Sequence, residues 1–156
     1  MTFLEHGLYG GAIAYKFNPN LFWFGVAFGV LPDIPPLILA TQTAGLRRVA
    51  KRILKGGADN FPEYVYKVYD ITHSFITTAA IFIILFLITK DSTALAISYG
   101  FHIVCDIPFH NSRFSTRFLY PLTNFHIHGY SETKHKWVIL AQYPVIILIY
   151  VFLLKK

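Results

Sequence analysis

Charge is what this sequence has least of. Only 14% of its 156 residues are Asp, Glu, Lys or Arg, while 54% are hydrophobic and 17% aromatic. A soluble domain of this size carries about 25% charged residues. The shortfall, with the long apolar runs, excludes an ordinary soluble domain and puts the chain in the membrane class. A single cysteine, Cys105, excludes an intramolecular disulfide and reads as a small buried hydrophobe within an apolar run. The opening residues Met1-Thr2-Phe3-Leu4-Glu5-His6 lack the basic segment of a cleavable signal peptide, so the first apolar stretch is read as mature structure. There is no Ser-His-Asp pattern, no phosphate-binding glycine loop ending in Gly-Lys-Ser/Thr, and no Gly-x-Ser-x-Gly elbow. Covalent catalysis and nucleotide-loop chemistry therefore have no support.

Five apolar stretches are present: Phe3–Phe17, Leu21–Ala40, Thr72–Thr89, Thr93–Phe109 and Trp137–Leu154. They predict one all-α domain over residues 1–156, an integral membrane bundle of about four to five helices. The first stretch contains Gly7, Gly10 and Gly11, which suit close helix contact. Asn18-Pro19-Asn20 makes a compact turn, so the first two stretches form a helical hairpin. Leu31-Pro32-Asp33-Ile34-Pro35-Pro36 interrupts the second, and three prolines around one aspartate break the helix there. Between the second and third stretches, Leu46, Val49, Ala50, Ile53 and Leu54 face away from Arg47, Arg48, Lys51, Arg52 and Lys55. This pattern reads either as an interfacial helix on anionic headgroups or as a plain basic loop.

The net charge of +6 reflects where the cations lie rather than a nucleic-acid partner. If all five stretches cross, ten of the fourteen cations fall in residues 41–69 and 111–136, on one side. The positive-inside rule makes that side cytoplasmic, together with the N-terminus. His6, Asp33, Asp70, His73, His102, Asp106, His110, His126, His128 and Glu132 then all fall at that same end. The charge bias was applied without reference to them, so their convergence argues for a single site.

His102-x-x-x-Asp106 places an imidazole and a carboxylate one helical turn apart, which is a two-ligand clamp for a divalent cation or a hydrogen-bonded core pair. Metal binding is the expectation, because an intramembrane aspartate is costly unless it has a use. His110 continues the spacing, but Pro108 leaves its direction open. His73 is expected just inside a helix start as a ligand, with Asp70 capping or supporting it. His128-x-x-x-Glu132 repeats the spacing in a polar loop, where His126 competes with His128 and His135 reads as a surface residue.

In order along the chain these segments are His6-Gly7-x-x-Gly10-Gly11, Gly29-Val-Leu-Pro-Asp33, Thr72-His73-Ser74 and Gly100-Phe-His102-Ile-Val-Cys-Asp106-Ile-Pro-Phe-His110. As spaced motifs over nearly the whole chain, they resemble the zinc-dependent phospholipase C and single-strand nuclease superfamily. The likeness is to its membrane-embedded branch, the LexA-regulated inner-membrane metal-dependent hydrolases. The resemblance implies an all-helical fold with one to three zinc ions hydrolysing a phosphate ester. It further implies His6, Asp33, His73, His102, Asp106, His110, His128 and Glu132 as the metal ligands. The secreted members also use an N-terminal amine and a tryptophan, whereas this chain begins with methionine.

The expected reaction is metal-assisted hydrolysis of a phospholipid or lipid-linked phosphate, with Asp33 and Asp106 as the catalytic carboxylates. Asp33 is the expected bridging ligand or general base. The expected location is the inner membrane, multi-pass, with lipids as surroundings and the site facing the cytoplasm. A metal-ion or proton transporter is the alternative, since intramembrane His and Asp also line ion paths. Haem would need axial histidines on facing helices without carboxylates at every step.

Overall fold

A computed structural model describes residues 2–55, 61–130 and 136–155. Among these the chain is all-helical, with α1 (Phe3–Phe17), α2 (Phe22–Val30), α3 (Ile34–Ala44), α4 (Leu46–Lys55), α5 (Glu63–Thr72), α6 (Phe75–Ile88), α7 (Ser92–Asp106) and α8 (Lys136–Leu154). Short 3-10 turns occupy Pro19–Leu21, Leu31–Asp33 and Ser112–Phe114. Helices α1, α2 and α7 pack against one another; α6 lies on α7, α8 on α1, and α3 on α4 and α5.

Each boundary has a local cause. The Glu5 carboxylate accepts the Thr2 backbone N–H (2.6 Å), which satisfies an orphan donor at the start of α1 and fixes the turn that carries His6. Asn18 Oδ1 accepts the Asn20 N–H (3.1 Å), making the turn that reverses α1 into α2. The proline break is milder than the sequence suggests. Pro35 and Pro36 fall in the first turn of α3, where a helix has no acceptor for the missing N–H groups. A single 3-10 turn at Leu31–Asp33 is enough to pass them, and Pro19–Ala44 remains one helical run of 26 residues.

The hairpin is held by backbone contact. A Cβ on Gly10 would lie 2.3 Å from the Gly25 carbonyl oxygen and 2.9 Å from Gly29 Cα. A Cβ on Gly29 would lie 2.4 Å from the His6 carbonyl oxygen. Glycine at these positions lets α1 and α2 touch backbone to backbone and sets His6 beside the end of α2. The buried Ser98 hydroxyl reaches the Gly10 carbonyl (3.0 Å), which ties α7 to the same seam. Tyr150 donates from α8 to the Leu8 carbonyl (2.8 Å).

The linking segment 41–69 contains two helices rather than one. Gly45, at φ 78, makes the turn into α4 in a conformation that L side chains rarely adopt. In α4, Val49 is buried against Ala40 and Val65, whereas Leu46, Arg47, Arg48 and Ala50 are exposed. The apolar face therefore meets the protein at Val49 and stays open at Leu46. Helix α5 buries Val65, Tyr66, Tyr69 and Asp70, a spacing that turns one face inward.

Among the described residues one helical run, Pro19–Ala44, is long and apolar enough to cross a membrane, or two if α5 and α6, bent by 56° at their junction, count as one span. Helix α6 buries no residue at all, and Ile83, Ile84, Phe86, Leu87 and Ile88 are all exposed.

Candidate metal centre

Three parts of the fold deliver the four residues of the site. Asp33 stands at the 3-10 turn between α2 and α3, His73 at the α5–α6 junction, and His102 and Asp106 one turn apart on α7. One ligand atom from each of these four side chains lies within 4.8 Å of all the others. His73 differs from its expected place. It is the residue that ends α5, and Ser74 rather than Asp70 or Thr72 caps α6, its hydroxyl accepting the Ile76 N–H (3.1 Å).

The distances are short enough for one cation to be shared by all four side chains. His73 Nε2 is 3.1 Å from His102 Nε2, 3.2 Å from Asp33 Oδ1 and 3.4 Å from Asp106 Oδ2. His102 Nε2 is 3.1 Å from Asp106 Oδ2 and 3.6 Å from Asp33 Oδ1. Two donors on one tetrahedral ion, with bonds of about 2.0–2.1 Å, stand about 3.3–3.4 Å apart. Five edges of the tetrahedron thus scatter around the spacing that a shared ion imposes.

The tautomers fit as well. His102 Nδ1–H donates to the Gly29 carbonyl (2.7 Å) and His73 Nδ1–H to the Tyr69 carbonyl (3.0 Å). A neutral ring in this tautomer would turn an unprotonated Nε2 toward the other. Two lone pairs facing at 3.1 Å repel unless a cation or proton lies between them. Gly29 therefore serves twice, since its missing side chain admits α1 and its carbonyl orients His102.

A second group lies on the opposite oxygen of Asp106. His6 Nε2 is 3.0 Å and His110 Nε2 is 3.4 Å from Asp106 Oδ1. The His6 ring stacks on His102, with centroids 3.6 Å apart at 19°. Helix α7 ends at Asp106, and the His110 N–H bonds the Asp106 carbonyl (3.0 Å), so the bend at Pro108 turns His110 inward. Burial pushes the His110 imidazole down to about 4, so near neutral pH it keeps a lone pair to offer. The carboxylate that contacts both groups is Asp106, whereas Asp33 reaches His73 and His102 through Oδ1.

His128 is not part of this cluster. It is exposed, and its ring packs against His126 at 4.7 Å. The cause is the pairing of its neighbours, since the Gly129 N–H bonds the His110 carbonyl (3.0 Å) and the Tyr130 N–H the Pro108 carbonyl (2.8 Å). These bonds hold the segment against the outer edge of the bend. Glu132 and His135 lie outside the described residues.

Asp70 neither caps a helix nor ligates; its buried carboxylate pairs with Arg117. Arg117→Ala leaves that carboxylate without its cation, and thermal denaturation in detergent is expected to show a loss of about 1.5–3 kcal/mol. Arg113→Ala, which breaks the exposed Arg113–Glu63 pair, should cost no more than about 1 kcal/mol.

The spacing of acids and histidines gave no warning of Tyr69 and Thr116. The Tyr69 hydroxyl lies 3.0 Å from His110 Nδ1 and 3.2 Å from Thr116 Oγ1. Tyr69 stands one turn before His73, a readable spacing, but Thr116 comes from a segment without regular structure. Access is uneven: the His73, His102 and Asp106 side chains are 0% exposed, whereas Asp33 is 19% and His110 22%. A ligand would meet the cluster between Asp33 and His110. No family model matches the chain, and no curated protein or solved structure matches it, which leaves the chemistry to the donors themselves.

Proposed function

We propose that this chain is a membrane-embedded, metal-dependent phosphoesterase acting on a phospholipid or lipid-linked phosphate. The observation that carries the reading is the convergence of Asp33, His73, His102 and Asp106, one ligand atom of each within 4.8 Å of the others, with His6 and His110 beside the far oxygen of Asp106. A second ion position, between His6, His110 and the Oδ1 atom of Asp106, is the further part of this reading. Zinc is the ion assigned, on the nitrogen-rich donor set and the family resemblance.

Membrane embedding is supported by the 26-residue apolar run and by the exposed apolar surface of α6 and α8. Water contact along Ile83–Ile88 would cost roughly 25 cal/mol for every Å² of apolar area, whereas acyl chains would cover it. Basic residues of 41–69 and 111–130 lie on the metal side of the sequence topology, so the positive-inside rule turns the site toward the cytoplasm, at the inner membrane. On that placement, headgroup phosphates would stand near the opening between Asp33 and His110.

Bound divalent ions would supply Lewis acidity, lowering the pKa of a water and neutralising charge on phosphoryl oxygens. The chain's own residues do the rest. Asp106 would be a ligand common to both positions, and His73 and His102 are locked by their carbonyl partners. Asp33, at the open edge, would take up the proton of an attacking water on its carboxylate. The buried His6, His73 and His102 meet Asp106 at the C-terminal end of α7, whereas the buried polar groups farther along that helix are the hydroxyls of Ser92, Ser98 and Tyr99. That one-ended arrangement favours hydrolysis over a transport path, which needs polar groups through the whole thickness.

The test is release of phosphate or diglyceride from mixed phospholipid micelles by purified protein during zinc titration. The expected result is turnover that rises with zinc to saturation and is abolished by chelation. A metal-loaded protein inert toward phospholipids and soluble phosphate esters would overturn the assignment.

A further inference from the structure

Tyr69 holds one histidine from each donor group. Its ring stacks on His73, with centroids 3.8 Å apart at 21°, and its carbonyl takes the His73 Nδ1–H. Its hydroxyl meets His110 Nδ1 (3.0 Å) on one side and Thr116 Oγ1 (3.2 Å) on the other. Tyr69 and Thr116 are both buried.

The protons along this line can be placed. For His110 to present a lone pair from Nε2 beside Asp106 Oδ1, its ring proton must sit on Nδ1. Nδ1–H then donates to the phenol oxygen, and the phenol donates its own proton to Thr116 Oγ1. A phenylalanine keeps the stacking and the carbonyl but leaves His110 without this acceptor. His6, the other imidazole of the group, has a buried Nδ1 that makes no hydrogen bond among the described residues. Stacking on His102 orients it instead.

We propose that Tyr69, backed by Thr116, is a positioning residue that fixes the tautomer and direction of His110. Through them it controls filling of the second ion position, made by His6, His110 and Asp106 Oδ1. The inference rests on the two-position reading above. It separates the two roles of Tyr69, because the carbonyl and ring serve His73 whereas the hydroxyl serves His110.

The experiment is zinc and cobalt(II) titration of the full chain in detergent, read by bound metal per chain and by the cobalt absorption spectrum. Wild-type protein is expected to take two ions. Tyr69→Phe should keep the first at unchanged affinity and bind the second about 10–100-fold more weakly, the scale on which lost outer partners act. Thr116→Val, which leaves the phenol in place, should shift the second ion in the same direction by less, and it carries the test if Tyr69→Phe fails to fold. A folded Tyr69→Phe holding both ions at wild-type affinity overturns the role. So does equal weakening of both ions, which is the mark of general loosening. Wild-type protein with fewer than two ions overturns the two-position reading itself, and the role of Tyr69 with it.

Discussion

Asp106→Asn is expected to strip the purified protein of bound metal at both positions and to abolish hydrolysis, while the helical fold persists. The substitution keeps the shape of a fully buried side chain and removes one negative charge and one acceptor oxygen. That charge stands within 3.4 Å of an Nε2 atom from each of His6, His73, His102 and His110. Without it, each position loses the ligand it shares with the other. Loss of an outer partner costs about 10–100-fold in metal affinity. Removal of a ligand common to both positions should exceed 100-fold, or about 2.8 kcal/mol at each. Asp33→Asn is the instructive comparison. Asp33 touches one group and is partly open to solvent, so its loss should weaken the His73–His102 position and leave His6 and His110 with their shared oxygen. Metal content per chain, measured after gel filtration, separates the two. An Asp106→Asn protein that keeps a full complement of metal would end the bridging assignment.

What the sequence revealed was what depends on a single helix. The bounds of α1 coincide with the first apolar stretch, and α7 carries His102 and Asp106 on one face because their spacing is one turn. The gathering of His6, Asp33 and His73 with them could be anticipated from the side of the bundle on which charge bias placed them. The partners that lock those rings were not legible. Gly29 lies 73 positions from His102, and Thr116 lies 47 from Tyr69, so no local period reports either pair. Helix α5 was hidden because Tyr66, Tyr69 and Asp70 do not look like a core face until their partners in 113–117 are in place. His128 misled for the opposite reason. Its spacing to Glu132 imitates that of His102 to Asp106, but residues 123–130 form no helix, and the one-turn rule has force only within one.

Gly10→Val is expected to disable the centre from about one helix turn away. A Cβ at residue 10 would sit 2.3 Å from a carbonyl oxygen and 2.9 Å from a Cα of α2, and backbone atoms cannot move aside as a side-chain tip can. The hairpin must open, at or above the upper end of the about 1–3 kcal/mol that overpacking costs. Opening it also moves the His6 carbonyl from Gly29, and with it the ring stacked on His102. The second ion position should therefore be lost before the first, whose ligands come from the α2–α3 turn, the α5–α6 junction and α7. Gly7→Ala is the matched control on the same helix, since its Cβ would press on Val26 and Val30 methyl groups at 3.3 and 3.4 Å, contacts that rotamer changes relieve, and would meet the Val26 carbonyl oxygen at an ordinary 3.9 Å. Melting temperature and zinc stoichiometry in detergent check both halves of the argument. A Gly10→Val protein as stable and as metal-rich as Gly7→Ala would show that backbone contact between α1 and α2 does not hold His6 in place.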